Sequence, residues 1–178
     1  IHILWSGDMV EKKEIMSLDK EYKIEVVLRL QTDTDDILGL IRPADFQKKE
    51  ITDEVLQNFV GLFEYDYPTY SSPHIKKVLK GENVMHKKQT GHIYTITLNG
   101  LKNISSNELK EVILHKLSHC EMKGGFRLDQ IKQGWNSYFE NNENKFEILS
   151  LNVTCKSGTY MRVLARELGG LALSIVRE

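Results

Sequence analysis

Tyr22, Ile24, Val26, Leu28 and Leu30 recur every second residue through EYKIEVVLRL, residues 21–30, which predicts a β-strand with one side buried. The polar run QTDTDDILG follows and predicts a turn ending at Gly39, because Thr and Asp side chains bond their own backbone. In residues 52–63, TDEVLQNFVGLF, the spacing predicts a short amphipathic helix starting from an N-cap at Thr52, with Glu54 in its first turn. HIYTITL, residues 92–98, alternates again and predicts a second strand. SSNELKEVILHKL predicts a helix capped at Ser105 or Ser106, and RLDQIKQGWNSYFE another, weakened by Gly134. NNENK reads as a solvated turn and FEILSLNVTC as a buried strand. That strand runs into KSGTYMRVLARELGG, where Tyr160, Val163, Leu164 and Leu168 form the stripe of a core-packed helix. Ser157, Gly158 and Thr159 read as its N-cap region and Gly169-Gly170 as its stop. Strands, then helices, then a strand and a helix predict an α+β fold around a mixed sheet.

The chain has 178 residues, a size for one domain, and buries enough surface for a core. With 40% hydrophobic and 28% charged residues it has the composition of an ordinary globular protein. A formal net charge of −1 means that any nucleic-acid binding must come from a local basic patch. Two cysteines, Cys120 and Cys155, make no disulfide framework and predict a reducing, cytoplasmic setting. No apolar run approaches the ~20 residues of a membrane span. The chain opens at Ile1 inside the apolar run IHILW and closes on LALSIVRE, so it is expected to be part of a longer protein.

Several residues are candidates for chemistry. Arg162 lies in the first turn of its predicted helix, where the helix dipole disfavours a cation, so a specific anion should face it. A surface carboxylate would be the plainer partner. Tyr22 is either a core tyrosine with its hydroxyl at the rim or a platform for a stacked base. Asp33, Asp35 and Asp36 lack the spacing of a calcium loop and read as an Asx-rich turn. Glu111, His115 and His119 have a spacing that can hold zinc, but Lys116 stands where the protease signature needs glutamate, and solvated helix histidines are the simpler account. Lys76, Lys77, Lys80, Lys87 and Lys88, with His74 and His86, surround Tyr67 and Tyr70, a mixture suited to a phosphate backbone with stacked bases or to a solvated lysine face.

Three stretches in this order resemble the TruB family of tRNA pseudouridine synthases. LDKEYKIEVVLRLQTDTDDILG is similar to the D-K-x-Y strand and T-D-T-x-D turn of that family. YPTYSS, preceded by FVG, is similar to P-P-x-Y-S-A after its F-x-G. CKSGTYMRVLARELG resembles C-S-x-G-T-Y-I-R-x-L-x-x-D-L-G. The resemblance covers most of Lys20 to Gly169 and implies a pseudouridine synthase fold, with uridine 55 in the T loop of tRNA as target. It implies base flipping into a pocket, with no cofactor, no metal and no obligate protein partner. By matching positions, Tyr22 would stack on the flipped base and help move the proton at its carbon five. Tyr160 and Val176 would line the pocket, and Arg162 would pair with the catalytic aspartate. Lys20, Tyr70, His74, Lys76 and Lys77 would contact the T arm.

Departures accompany the match. The family's G-x-L-D-P-x-A-T-G motif, which carries that aspartate, is absent from these residues, so this stretch is expected to be inactive alone. Asp8 and Asp19 lack the motif's context. Tyr65 and Tyr67 stand where the family has glutamine and proline, and His74 replaces a lysine. Residues from about Asn103 to Asn144 form a mostly helical insertion that could support the sheet, touch tRNA, or do neither. The alternative function is a non-catalytic RNA-binding module that kept the pocket and lost the aspartate.

Overall fold

The computed structural model describes residues 16–44, 46, 50–66, 68, 70, 80–81, 88–120, 127–142 and 144–178. Five strands form one sheet in the order β4 (Gly61–Asp66), β5 (Lys88–Ser105), β6 (Lys145–Cys155), β1 (Lys20–Leu28) and β7 (Gly170–Arg177). All four neighbouring pairs are antiparallel. The one parallel contribution among the described residues is an isolated bridge between Asp36 and Ala172, and β2 (Gln31–Thr32) pairs with β3 (Ile41–Arg42) as a separate ribbon. The α+β expectation holds, and the sheet is mixed only through that bridge.

Helices cover both faces. On one, Leu56 of α1 (Asp53–Gln57) and Met161, Leu164 and Ala165 of α4 (Met161–Glu167) pack on Ile24, Val26, Leu151 and Val153. On the other, α2 (Ser106–Ser118) and α3 (Leu128–Glu140) place Leu109, Ile113, Ile131 and Trp135 on Val27, Ile148, Leu171 and Leu173. These two helices lie within residues 103–144 and pack on the sheet. The sequence of β6 records how far that packing reaches. Phe146 and Ile148 are buried under the helices, while Ser150, Asn152 and Thr154, next on the same side, are polar. Hydrogen bonds join the start of α2 to the chain after α3. Ser105 caps α2 in a reciprocal box with Glu108, and the Ser106 hydroxyl donates to the carbonyls of Asn142 (2.6 Å) and Asn144 (2.9 Å).

Three expectations about elements change. The helix after Thr52 does cap on that side chain, but it stops at Gln57, and Gly61 at φ +105° opens strand β4 in place of more helix. The final helix starts after Tyr160, without a side-chain cap, so Ser157, Gly158 and Thr159 form a turn before it. The Thr159 hydroxyl accepts from the His92 amide at 3.1 Å, which fastens that turn to β5 instead of to the helix. Beyond Gly169, at φ +86°, the chain forms β7, an edge strand that the periodicity reading did not assign. Its opening Gly170 lies so close to β1 that a Cβ there would be 2.2 Å from the Val27 carbonyl oxygen.

Candidate active site

The Asp-rich turn between β2 and β3 is buried, and each of its three carboxylates holds one arginine. Asp33 takes Arg127 in a fork, Nη1 to Oδ2 at 2.5 Å and Nη2 to Oδ1 at 3.3 Å. Asp35 takes Arg166 at 3.0 Å, and Asp36 takes Arg162 at 3.0 Å. Arg162 and Arg166 come from one face of α4, four residues apart, whereas Arg127 comes from the entrance to α3. Carboxylates so enclosed stay in the fold because each is paired and hydrogen-bonded.

The backbone of the turn explains why it is rigid. Asp33 accepts the Leu40 amide on Oδ1 at 2.8 Å and gives its own amide to the Leu40 carbonyl at 3.1 Å, closing the loop. Asp36 Oδ1 accepts the Thr34 hydroxyl at 2.6 Å and the Leu38 amide at 2.9 Å, leaving Oδ2 for Arg162. Asp35 sits at φ +60°, a left-handed conformation that Asp tolerates, and its carbonyl accepts the Ala172 amide from β7 at 3.0 Å. Gly39 is required by crowding, since a Cβ there would lie 2.4 Å from the Thr34 hydroxyl. From α3, the Trp135 indole donates to the Ile37 carbonyl at 3.1 Å. Burial pushes the Asp35 carboxyl above its ordinary value, although Arg166 and Arg162 pull it down.

The anion facing Arg162 among the described residues is thus Asp36, which the sequence reading treated only as part of a turn. Arg162 Nη1 also donates to the Thr34 carbonyl at 3.0 Å, and Nη2 donates to the Tyr160 hydroxyl. Its guanidinium lies 4.9 Å from the centre of the Tyr160 ring. Of five N–H groups, those three bonds leave two, on Nε and Nη2, for a further acceptor.

Tyr22 packs against the same apolar cluster as Met161 and Leu164 of α4. Burial, followed by the neighbouring Cys155, raises its phenol above the usual value, with Arg177 pulling the other way. A base role at carbon five would need the opposite shift. Val176 is not brought to this site. Antiparallel partners share a face, Tyr22 pairs with Arg177, and Val176 pairs with Lys23, so Val176 lies on the opposite side of the sheet. There it lines a groove with Lys23, Glu25, Leu151 and Asn152. Lys20 turns its ammonium onto the Leu18 and Met16 carbonyls. The Tyr70 ring lies under Arg127, with the guanidinium carbon 4.0 Å from its centre. His74, Lys76 and Lys77 lie outside the described residues, as does most of the proline-punctuated loop that carries them.

His115 and His119 are exposed, and His119 folds back so that Nδ1 meets the His115 carbonyl at 2.9 Å. Among the described residues no group of His, Cys, Asp and Glu is arranged to hold a metal ion, and no helix is long and apolar enough to cross a membrane. Arg127, Arg166 and the three aspartates escaped sequence reasoning as a set. The available signal was the i, i+4 spacing of Arg162 and Arg166 beside a buried-pattern turn with three carboxylates.

A mainly antiparallel sheet with flanking helices, an Asp-rich turn and the G-T-Y-x-R segment docked on that turn is consistent with a pseudouridine synthase fold. No family model matches the chain. Proteins called tRNA pseudouridine synthase B do. That of Blochmanniella floridana is 36% identical over 104 residues, 53% of this chain and 41% of its own length. That of Borrelia garinii subsp. bavariensis is 29% identical over 156 residues, 86% and 43% of the two chains. That of Staphylococcus aureus (strain JH9) is 27% identical over 161 residues, 87% and 42%. These similarities, at 27–36% identity, support the resemblance to the TruB family. The chain spans less than half the length of these curated relatives.

Proposed function

We propose that this chain carries most of the catalytic domain of a tRNA pseudouridine synthase that converts uridine 55 of the T loop to pseudouridine. The observation that carries this reading is the convergence of the T-D-T-x-D turn and the G-T-Y-x-R helix, remote in sequence, into one buried network around Arg162. In this reading the base is flipped from the T loop and stacks on Tyr22, with Tyr160 closing the pocket. The bond from sugar to ring nitrogen breaks, the base turns, and a bond forms from the sugar to carbon five, which then loses its proton. Arg162, anchored by Asp36 and the Thr34 carbonyl, offers its remaining N–H groups to the family's aspartate and holds that carboxylate ionised against the sugar. The full coding sequence should therefore contain L-D-P upstream of Ile1. Lys20, Tyr70, His74, Lys76 and Lys77 are proposed to face the T arm, and the protein to work in the cytoplasm without cofactor or protein partner. Val176 receives no role, because it faces away from Tyr22.

The test is pseudouridine formation by the full-length protein on an unmodified tRNA transcript, read by tritium release from 5-tritiated uridine. Turnover confined to position 55, and lost in Arg162→Met with tRNA binding kept, is the expected result. Tight tRNA binding without turnover by the wild type would instead establish the non-catalytic RNA-binding module.

A further inference from the structure

Helices α2 and α3 do more than cover the sheet, since the residue at the entrance to α3 reaches both the Asp-rich turn and the Y-P-T-Y-S-S segment. Arg127 has φ +56° and serves as the N-cap position of α3 without giving the helix a side-chain cap. Its side chain is 14% exposed and points instead to Asp33, whose carboxylate is 4% exposed. A planar guanidinium grips a carboxylate edge-on while its face stays available for a ring. Here that face lies 4.0 Å from the centre of Tyr70. Asp33 in turn closes the loop through Leu40, and that loop contains Asp36 and the Thr34 carbonyl, both of which anchor Arg162. An unbroken chain of contacts thus runs from Tyr70 through Arg127 and Asp33 to the arginine of the candidate site.

We propose that Arg127 is a positioning residue that couples the placement of Tyr70, on the RNA-facing segment, to the placement of Arg162. The role in catalysis rests on the pseudouridine synthase reading, whereas the mechanical coupling does not. Lysine at this position keeps the charge opposite Asp33 but loses both the fork and the flat face.

The experiment uses the full-length protein with Arg127→Lys, Tyr70→Leu and the two combined. Three quantities are read: the single-turnover rate at saturating tRNA, tRNA affinity by filter binding, and amide exchange of residues 31–40. Each single variant should lower the rate threefold or more and shift affinity by less than twofold. Both changes remove the stack of Tyr70 on Arg127, and Arg127→Lys also loses the fork, so the double variant should be no slower than Arg127→Lys alone. Exchange across residues 31–40 should rise threefold or more in Tyr70→Leu, because the stack on Arg127 links Tyr70 to that segment. A rate change under threefold, a loss confined to affinity, or losses that multiply in the double variant would overturn the catalytic coupling. Unchanged exchange in Tyr70→Leu overturns the coupling whether or not the protein turns over. A wild type that forms no pseudouridine while exchange responds as expected would sink the functional reading and leave the coupling standing.

Discussion

Asp36→Asn tests whether the carboxylates of the turn hold the fold as the geometry indicates. Asparagine keeps the size of the side chain and one carbonyl oxygen, yet cannot satisfy this site in either orientation. With its oxygen toward the Thr34 hydroxyl and the Leu38 amide, its NH2 faces Arg162 Nη1, donor against donor, across what is now a 3.0 Å bond. Flipped, the NH2 faces the Leu38 amide instead. The Arg162–Asp36 pair is about one-sixth exposed on both sides, at 17% and 16%. Breaking a fully buried pair costs about 3–5 kcal/mol. Residual solvent and the nearby Asp35 carboxylate reduce this, so about 2–3 kcal/mol is the expected loss. For a chain of this size that is a fall of roughly 4–12 °C in Tm, since ~1 kcal/mol moves it about 2–4 °C. Urea denaturation of wild type and variant at neutral pH, followed by circular dichroism, measures it directly. A loss under about 0.5 kcal/mol, the level of a surface pair, would refute the claim that Asp36 is the principal anion of Arg162.

Two other outcomes follow from the same framework. Gly170→Ala puts a methyl group 2.2 Å from the Val27 carbonyl, a backbone atom that cannot turn aside, so β7 must move off β1. A loss of about 3 kcal/mol or more in urea denaturation is expected, and a neutral substitution would show that the two strands are not this close. For Tyr22 the sign follows from the raised phenol. The unfolded chain ionises first, near pH ~10, so the contribution of the group to stability is complete below that value and is lost as pH climbs through the higher folded one. The stability difference between wild type and Tyr22→Phe should hold steady from pH ~7 to ~9 and then move in favour of the variant. Movement in favour of wild type would mean that the site prefers phenolate, restoring Tyr22 as a base.

Much of the fold was legible because single strands and helices write their burial into a period. The alternation through Tyr22, Ile24, Val26 and Leu28 survives in β1, and Ser105 with Glu108 makes the box that their spacing suggests. Where the reading missed, long-range pairing had decided the outcome. Residues 61–63 look helical after Val55 and Leu56, but β5 offers them a backbone partner and Gly61 permits the turn into it. LALSIVRE gave no alternation because Leu171 and Leu173 are buried under α3's side of the sheet while Ala172 is buried on the other. Val176 was assigned by matching positions, and pairing with Lys23 turns it to the wrong face.

The site itself was half legible, for a physical reason. A cation in the first turn of a helix signals that an anion is needed, but charge alone cannot say which carboxylate arrives. Asp33, Asp35 and Asp36 are near-equivalent in sequence, and only the twist of the turn sorts them among three arginines. Once sorted, they bind together parts of the chain that the sequence keeps apart. Arg162 and Arg166 fix α4 to the turn, and Arg127 and Trp135 fix α3 to it from the opposite face. The turn is therefore the point at which α2 and α3 can influence Arg162 without touching it. A helix pair that merely covered apolar strands would need Leu, Ile and Trp against the sheet. It would have no use for a buried arginine on Asp33.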